Sequence, residues 1–121
     1  MSAKNDVSIL GNLTADPQVT EPEENPKLKQ TLARFSVGHN RRYKDQSGEL
    51  KEEAHFFNVS AWGPAAKYAK RNLSKGNLVL VDGRLDYQSW ETDDGKKRST
   101  VAIIADSLQR LEWPKTEAEV L

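Results

Sequence analysis

The chain has 121 residues, with 18 Lys plus Arg against 18 Asp plus Glu, a formal net charge of zero, and no cysteine. That length fits one domain with a tail, and the missing thiols exclude disulfides, thiolate metal sites and cysteine nucleophiles. Only His39 and His55 could serve as imidazole ligands, no apolar run could span a bilayer, and Met1–Asp6 carries no apolar signal, so a cytoplasmic protein without a metal or other cofactor is expected.

The neutral total hides an uneven distribution. Lys27 to Arg110 holds 16 basic and 10 acidic residues, whereas the remainder holds 2 basic and 8 acidic ones. The positive middle suits an anionic ligand.

Val7 to Leu10 alternates as a short strand ending at Gly11-Asn12, and Ala15 to Pro26, with three prolines and several acids, reads as an exposed loop. Thr31 to Val37 places Ala33, Phe35 and Val37 on one face of a second strand. A charged excursion from Asn40 to Glu53 turns at Gln46-Ser47-Gly48. In His55 to Trp62, Phe57, Val59 and Ala61 form the apolar face, while Phe56, Asn58, Ser60 and Trp62 form the other.

Gly63-Pro64 opens a short helix with proline at its first position; Ala65, Tyr68, Ala69 and Leu73 make its apolar stripe, and Gly76 stands where a C-cap is wanted. Leu78 to Trp90 is a long strand interrupted at Asp82-Gly83, as a bulge requires. Asp94-Gly95 turns the chain into a last strand from Arg98 to Leu108. The pattern predicts an all-β fold: a five-stranded Greek-key OB-fold barrel with one short helix between strands 3 and 4. It occupies residues 1–113, with a short acidic tail over 114–121.

Phe56, Trp62 and Trp90 fall on polar strand faces, and Tyr43 lies in the charged hairpin. Rings in such places can stack on nucleobases, and neighbouring cations can neutralise phosphates. Trp90 shares its face with Arg84, Asp86 and Gln88, while Leu85 and Tyr87 belong to the opposite face. The same pattern suits a second small core or a subunit interface, and Lys96-Lys97-Arg98 also suits a solvated hairpin tip. Tyr68 is assigned to the core, Trp113 to a lid over the barrel end, and His39 and His55 to ordinary surface or sheet positions.

The run Val7-Ser8-Ile9-Leu10-Gly11-Asn12-Leu13, then Asp16-Pro17-Gln18-Val19, Ser47-Gly48-Glu49, the Phe56 to Gly63 strand, Lys75-Gly76 and Val81-Asp82-Gly83-Arg84-Leu85 together resemble the bacterial and mitochondrial single-stranded-DNA-binding proteins. The resemblance runs from about Val7 to Trp113, and it is the order and spacing of the motifs that carry it. It implies an OB-fold homotetramer around which single-stranded DNA wraps, acting in replication, recombination and repair without catalysis. Phe56, Trp62 and Trp90 fall where the family places stacking aromatics, and Lys75 falls at a basic contact. The expected nucleic-acid-binding set is Tyr43, Phe56, Trp62 and Trp90 with Arg41, Arg42, Lys44, Lys75, Arg84, Lys96, Lys97 and Arg98.

The chain departs from the family pattern in several places. Arg42, beside Tyr43, stands where the family often has tryptophan, and Asp86, Gln88, Ser89, Asn58 and Pro64 replace frequent cations. Fewer phosphate contacts imply weaker binding with a shallower salt dependence. The sequence ends at Glu117-Ala118-Glu119-Val120-Leu121 in place of an acidic Pro-Phe tip, so recruitment of replication and repair proteins through such a tip is not expected.

Two other readings use the same rings: an RNA-binding or primosomal OB protein, which one sequence cannot separate from a DNA binder, and a module whose aromatics meet a protein. Against an enzyme stand the missing Gly-rich phosphate loop and the missing His-X-X-X-His metal pair.

Overall fold

The computed structural model describes residues 3–112. Its elements are β1 (Val7–Leu13), β2 (Gln18–Thr20), β3 (Leu32–Lys44), β4 (Leu50–Trp62), α1 (Pro64–Asn72), β5 (Leu78–Glu91) and β6 (Lys97–Leu111). The five long strands are the expected ones, and α1 lies between the third and fourth of them. The additional strand β2 lies inside the segment expected to be loop, pairing Gln18 to Thr20 with Arg34 to Leu32. Its three residues were too few for an alternation to register in the sequence.

The sheet runs β1-β5-β6-β4-β3-β2 and closes because β1 also pairs with β3 at Asn12 and Leu13. All pairings are antiparallel except β4 with β6. Closure requires sharp coiling, and the β5–β6 pair supplies it with a register shift opposite Asp82 and Gly83, where Asp106 of β6 is the extra, unpaired residue. Only glycine fits there: a Cβ on Gly83 would lie 2.9 Å from the Ile104 carbonyl carbon and closer still to its oxygen.

The interior is filled by one residue in two from each strand. Ala33, Phe35 and Val37 of β3, Val59 and Ala61 of β4, Val79 and Val81 of β5, and Ile103 and Ala105 of β6 are all buried. Helix α1 closes the barrel with Ala66, Ala69 and Leu73. Ala65 and Tyr68 are half-buried, so the stripe is centred one residue beyond its expected position. The Tyr68 hydroxyl accepts the Arg110 N–H at 2.8 Å and ties the helix to the end of β6.

Gly76 is not the helix cap. The helix stops at Asn72, with Leu73 already extended, and Gly76 takes φ 90° in the following turn. There its N–H reaches the Leu13 carbonyl at 2.9 Å, and Asn77 accepts the Leu13 N–H at 2.9 Å. The turn is thus docked against the end of β1. Trp113 and the acidic tail lie outside the described residues.

The β3–β4 and β5–β6 hairpins extend beyond the barrel as two-stranded arms. Leu85 and Tyr87, on the face of β5 opposite Trp90, are exposed, as is Val101 across from Tyr87. That face is buried only within the barrel; past Gly83, β1 no longer runs alongside β5, and the arm has no core to cover.

Candidate nucleic-acid interface

Strand alternation and pairing place one continuous non-core face across four strands. From β5 it takes Arg84, Asp86, Gln88 and Trp90; from β6, Arg98, Thr100 and Ala102. From β4 it takes Phe56, Asn58, Ser60 and Trp62, and from β3, Arg34, Ser36 and Arg42. Phe56, Trp62 and Trp90 therefore share a surface although they come from two arms and the barrel wall. They stay 65%, 38% and 50% exposed, so Phe56 and Trp90 present at least half of their surface to solvent and Trp62, partly covered, still presents an open part.

Local pairing sets each ring. Phe56 stands opposite Gly38, where the absent side chain leaves room for it: a Cβ there would meet the ring at 3.4 Å. Trp90 stands opposite Arg98 in the β5–β6 register, on the same face of the arm. Between the rings lies a cleft of about 470 Å³ lined by Arg34, Ser36, Asn58, Ser60, Gln88 and Thr100, with Asp16 and Gln18 at its β2 side and Phe35 and Val59 also contributing.

The single-strand binding protein family model matches residues 4–111, nearly the whole described chain. The chain belongs to the single-strand binding protein family. A relative from Aquifex aeolicus named single-stranded DNA-binding protein is 47% identical over 112 residues, spanning 92% of this chain and 72% of that protein. One of the same name from Helicobacter hepaticus is 38% identical, spanning 89% of this chain and 61% of its own length.

Solved structures agree. A deletion mutant of the single-stranded DNA binding protein from Thermus aquaticus superposes with TM-score 0.76 at 31% identity, over 90% of this chain and 51% of that one. A Plasmodium falciparum SSB in complex with ssDNA superposes with TM-score 0.80 at 20% identity, over 93% and 98% of the two chains, a likeness of fold.

In this single-strand binding protein family member, the residues singled out from sequence divide into groups. Phe56, Trp62, Trp90, Arg42, Lys44, Arg84 and Arg98 lie on the shared face. Tyr43 and Arg41 follow Phe35, Val37 and His39 on the opposite side of β3, with the Arg41 guanidinium 5.4 Å from the Tyr43 ring centre. Their even or odd position along the strand separates them from Phe56. Lys96 and Lys97 lie at or beside the β5–β6 tip, Lys97 opposite Glu91. Lys75 lies in the turn after α1, and its backbone N–H donates to the Asp16 carboxylate at 2.8 Å, which brings Lys75 to the rim of the cleft.

Arg84 differs from the other cations because its guanidinium is paired with Asp106 at 2.9 Å. The bulge at Asp82/Gly83 leaves Asp106 outside the pairing register, free to meet Arg84. Arg34, Ser36, Asn58, Ser60, Gln88 and Thr100 were absent from the sequence-derived set. The signal for four of them was present, since Asn58 and Ser60 alternate with Phe56 and Trp62 and Gln88 alternates with Trp90, while Arg34 lies on the polar face of its own strand.

The arms are held at their tips by aspartates. Asp45 accepts the Ser47 hydroxyl and the N–H groups of Ser47 and Glu49, and these bonds hold its carboxyl below the usual range. Asp94 is lowered in the same way, chiefly by the Thr92 hydroxyl and then by the Lys96 N–H. On the far side, Glu21 accepts the Thr31 hydroxyl at 2.7 Å and the Lys70 ammonium at 2.9 Å, in that order the main causes of its lowered carboxyl, and so joins the β2–β3 connection to α1.

Proposed function

We propose that the chain binds single-stranded DNA across the face bearing Phe56, Trp62 and Trp90, protecting the strand in replication, recombination and repair. What carries the reading is the presence of these three exposed rings on one surface of a single-strand binding protein family member. Bases splayed from an unpaired strand can lie on such rings, each stack contributing roughly 1–3 kcal/mol, whereas a duplex keeps its bases inside. Arg42, Lys44, Lys75, Lys96, Lys97 and Arg98 neutralise phosphates, with Arg41 and Tyr43 reaching a segment that passes round the β3–β4 arm. Stacking does not depend on base sequence, so the binding is general. No bond is made or broken in it, and no cofactor is required.

The proposed assembly is a homotetramer. Val7 to Gly11 pairs as a strand with β5 only; on its other edge the Leu10 carbonyl meets the His39 ring at 3.4 Å and Gly11 packs against Gly38, which leaves Val7 to Ile9 open, and a free strand edge is a template for a second chain. Leu10 of β1 and Leu85, Tyr87 and Val101 of the β5–β6 arm are exposed apolar residues that a second chain could cover. No helix among the described residues is long and apolar enough to cross a membrane. With bacterial relatives, a cytoplasmic, nucleoid-associated location is proposed, and residues 1–113 are proposed as the DNA-binding domain.

The test is a titration with poly(dT) followed by tryptophan fluorescence, in a Trp113→Phe background so that Trp62 and Trp90 report. Strong quenching that saturates at a fixed nucleotide count and weakens with salt is expected, with little change on adding duplex. No quenching at low salt sinks the reading and reassigns the aromatic face to a protein interface. Competition with poly(rU) separates DNA from RNA as the preferred strand.

A further inference from the structure

The cleft at the centre of the face offers chemistry that stacking and phosphate contact leave unused. Its volume, about 470 Å³, lies within the roughly 300–1,000 Å³ range of pockets that enclose a small ligand. Arg34 and Asp16 both line it, yet they form no ion pair with each other, and Arg34 is in no ion pair among the described residues. Asp16 is fixed in place, because its Oδ1 takes the Lys75 N–H at 2.8 Å; Oδ2 is left to accept another donor. Arg34, which carries a fork of N–H donors, and Asp16, which carries a carboxylate, therefore line one space without satisfying each other.

The four bases differ in how they meet such a pair. Guanine offers two acceptors, O6 and N7, on the edge that an arginine fork matches bidentately. On its Watson–Crick edge it offers the donors N1–H and N2–H, which a carboxylate accepts. Adenine presents an amino donor towards the arginine and an acceptor, N1, towards the carboxylate. Cytosine has no paired donors for Asp16, and thymine has a single N3–H.

We propose that one base of the bound strand enters the cleft between Arg34 and Asp16 and that guanine is favoured there, Arg34 donating to O6 and N7 and Asp16 accepting from N1–H and N2–H. The inference rests on the strand-binding reading above and adds a local base preference to a general binder. Asn58 and Gln88 are near enough to line the same space, and the Gln88 amide already donates to Asp86 at 3.0 Å, which fixes its orientation.

The experiment is an anisotropy competition at constant salt against a labelled short oligo(dT). The unlabelled competitors are oligo(dT) itself and the same oligomer with one central dG, dA, inosine or 7-deaza-dG. The dG oligomer is expected to compete on the order of tenfold better than oligo(dT), within the discrimination of one bidentate base contact. The dA oligomer, which stacks as well as dG, should gain little, inosine should lose the N2 contribution, and 7-deaza-dG the N7 contribution. Arg34→Lys keeps the charge and loses the fork, so it should level the dG and dT affinities. If oligo(dT) binds and dG competes no better than dA, the inference is overturned and the strand-binding reading stands. If oligo(dT) itself does not bind, it is that reading which fails.

Discussion

Gly83→Ala tests whether the close approach of β5 to β6 at the bulge both closes the barrel and aims Trp90. A Cβ there would lie 2.9 Å from the Ile104 carbonyl carbon and 3.1 Å from the Ala105 Cα, with the carbonyl oxygen nearer still. These are backbone atoms of the paired strand, so no side-chain rotation relieves the overlap; β5 and β6 must separate at the point where the register shifts. Forcing an extra methyl group into such a contact costs about 1–3 kcal/mol. For a domain of this size that is a fall in Tm of roughly 4–15 °C. The comparison is Gly48→Ala at the β3–β4 tip, where nothing lies within 4 Å of the added carbon and only the positive φ of 83° opposes it. That substitution costs about 1 kcal/mol. Thermal unfolding by circular dichroism at one fixed protein concentration measures both, the concentration being held because assembly shifts Tm. The loss in Gly83→Ala should exceed that in Gly48→Ala and be accompanied by weaker oligo(dT) binding, since Trp90 lies seven residues further along the displaced strand. A Gly83→Ala protein with parental Tm and parental affinity would refute the argument.

Further outcomes follow from the same geometry. Trp90→Ala and Phe56→Ala should each weaken oligo(dT) binding by about tenfold or more at unchanged unfolding midpoint, because a stack worth roughly 1–3 kcal/mol is lost from an already exposed site; parental affinity in a filter or fluorescence titration would remove that ring from the interface. Removing Arg98 should reduce the slope of log affinity against log salt by about 0.7, the value for one phosphate contact on a single strand. Arg84→Ala should reduce it less, because Asp106 already pairs with that guanidinium. The lowered carboxyl of Glu21 stabilises the fold above its ordinary value of 4.5, and this contribution is lost as pH falls through the lowered value. Denaturant midpoints of Glu21→Gln and the parent should therefore converge as pH drops below 4.5. Tyr87→Ser should shift the sedimentation profile towards smaller species if the exposed β5–β6 arm face joins subunits; an unchanged profile would clear that residue.

The sequence by itself determined the barrel. Alternation in β3, β4 and β5 is a local property of the chain, so Phe35, Val59 and Val81 could be assigned to the interior, and Phe56 and Trp62 to the exterior, without knowing what they touch. Glycine followed by proline fixed the start of α1 because these residues act on their own backbone, and Gly83 marked where a partner strand approaches closely, though not which strand. What only the tertiary structure decided is what the strands bring together. The pairing of β4 with β6, between residues more than forty apart in sequence, sets Ser60 beside Ile104 and so joins the two aromatic arms across one cleft. No local pattern encodes that neighbour, and for this reason Thr100 was not singled out, whereas Arg34 and the side taken by Tyr43 were legible in the alternation of β3. Arg84 counted as a free cation until the bulge delivered Asp106 to it, and Leu85 and Tyr87 could be set on the face opposite Trp90 because alternation fixes which face a side chain takes. Whether anything covers that face depends on where β1 and the core end.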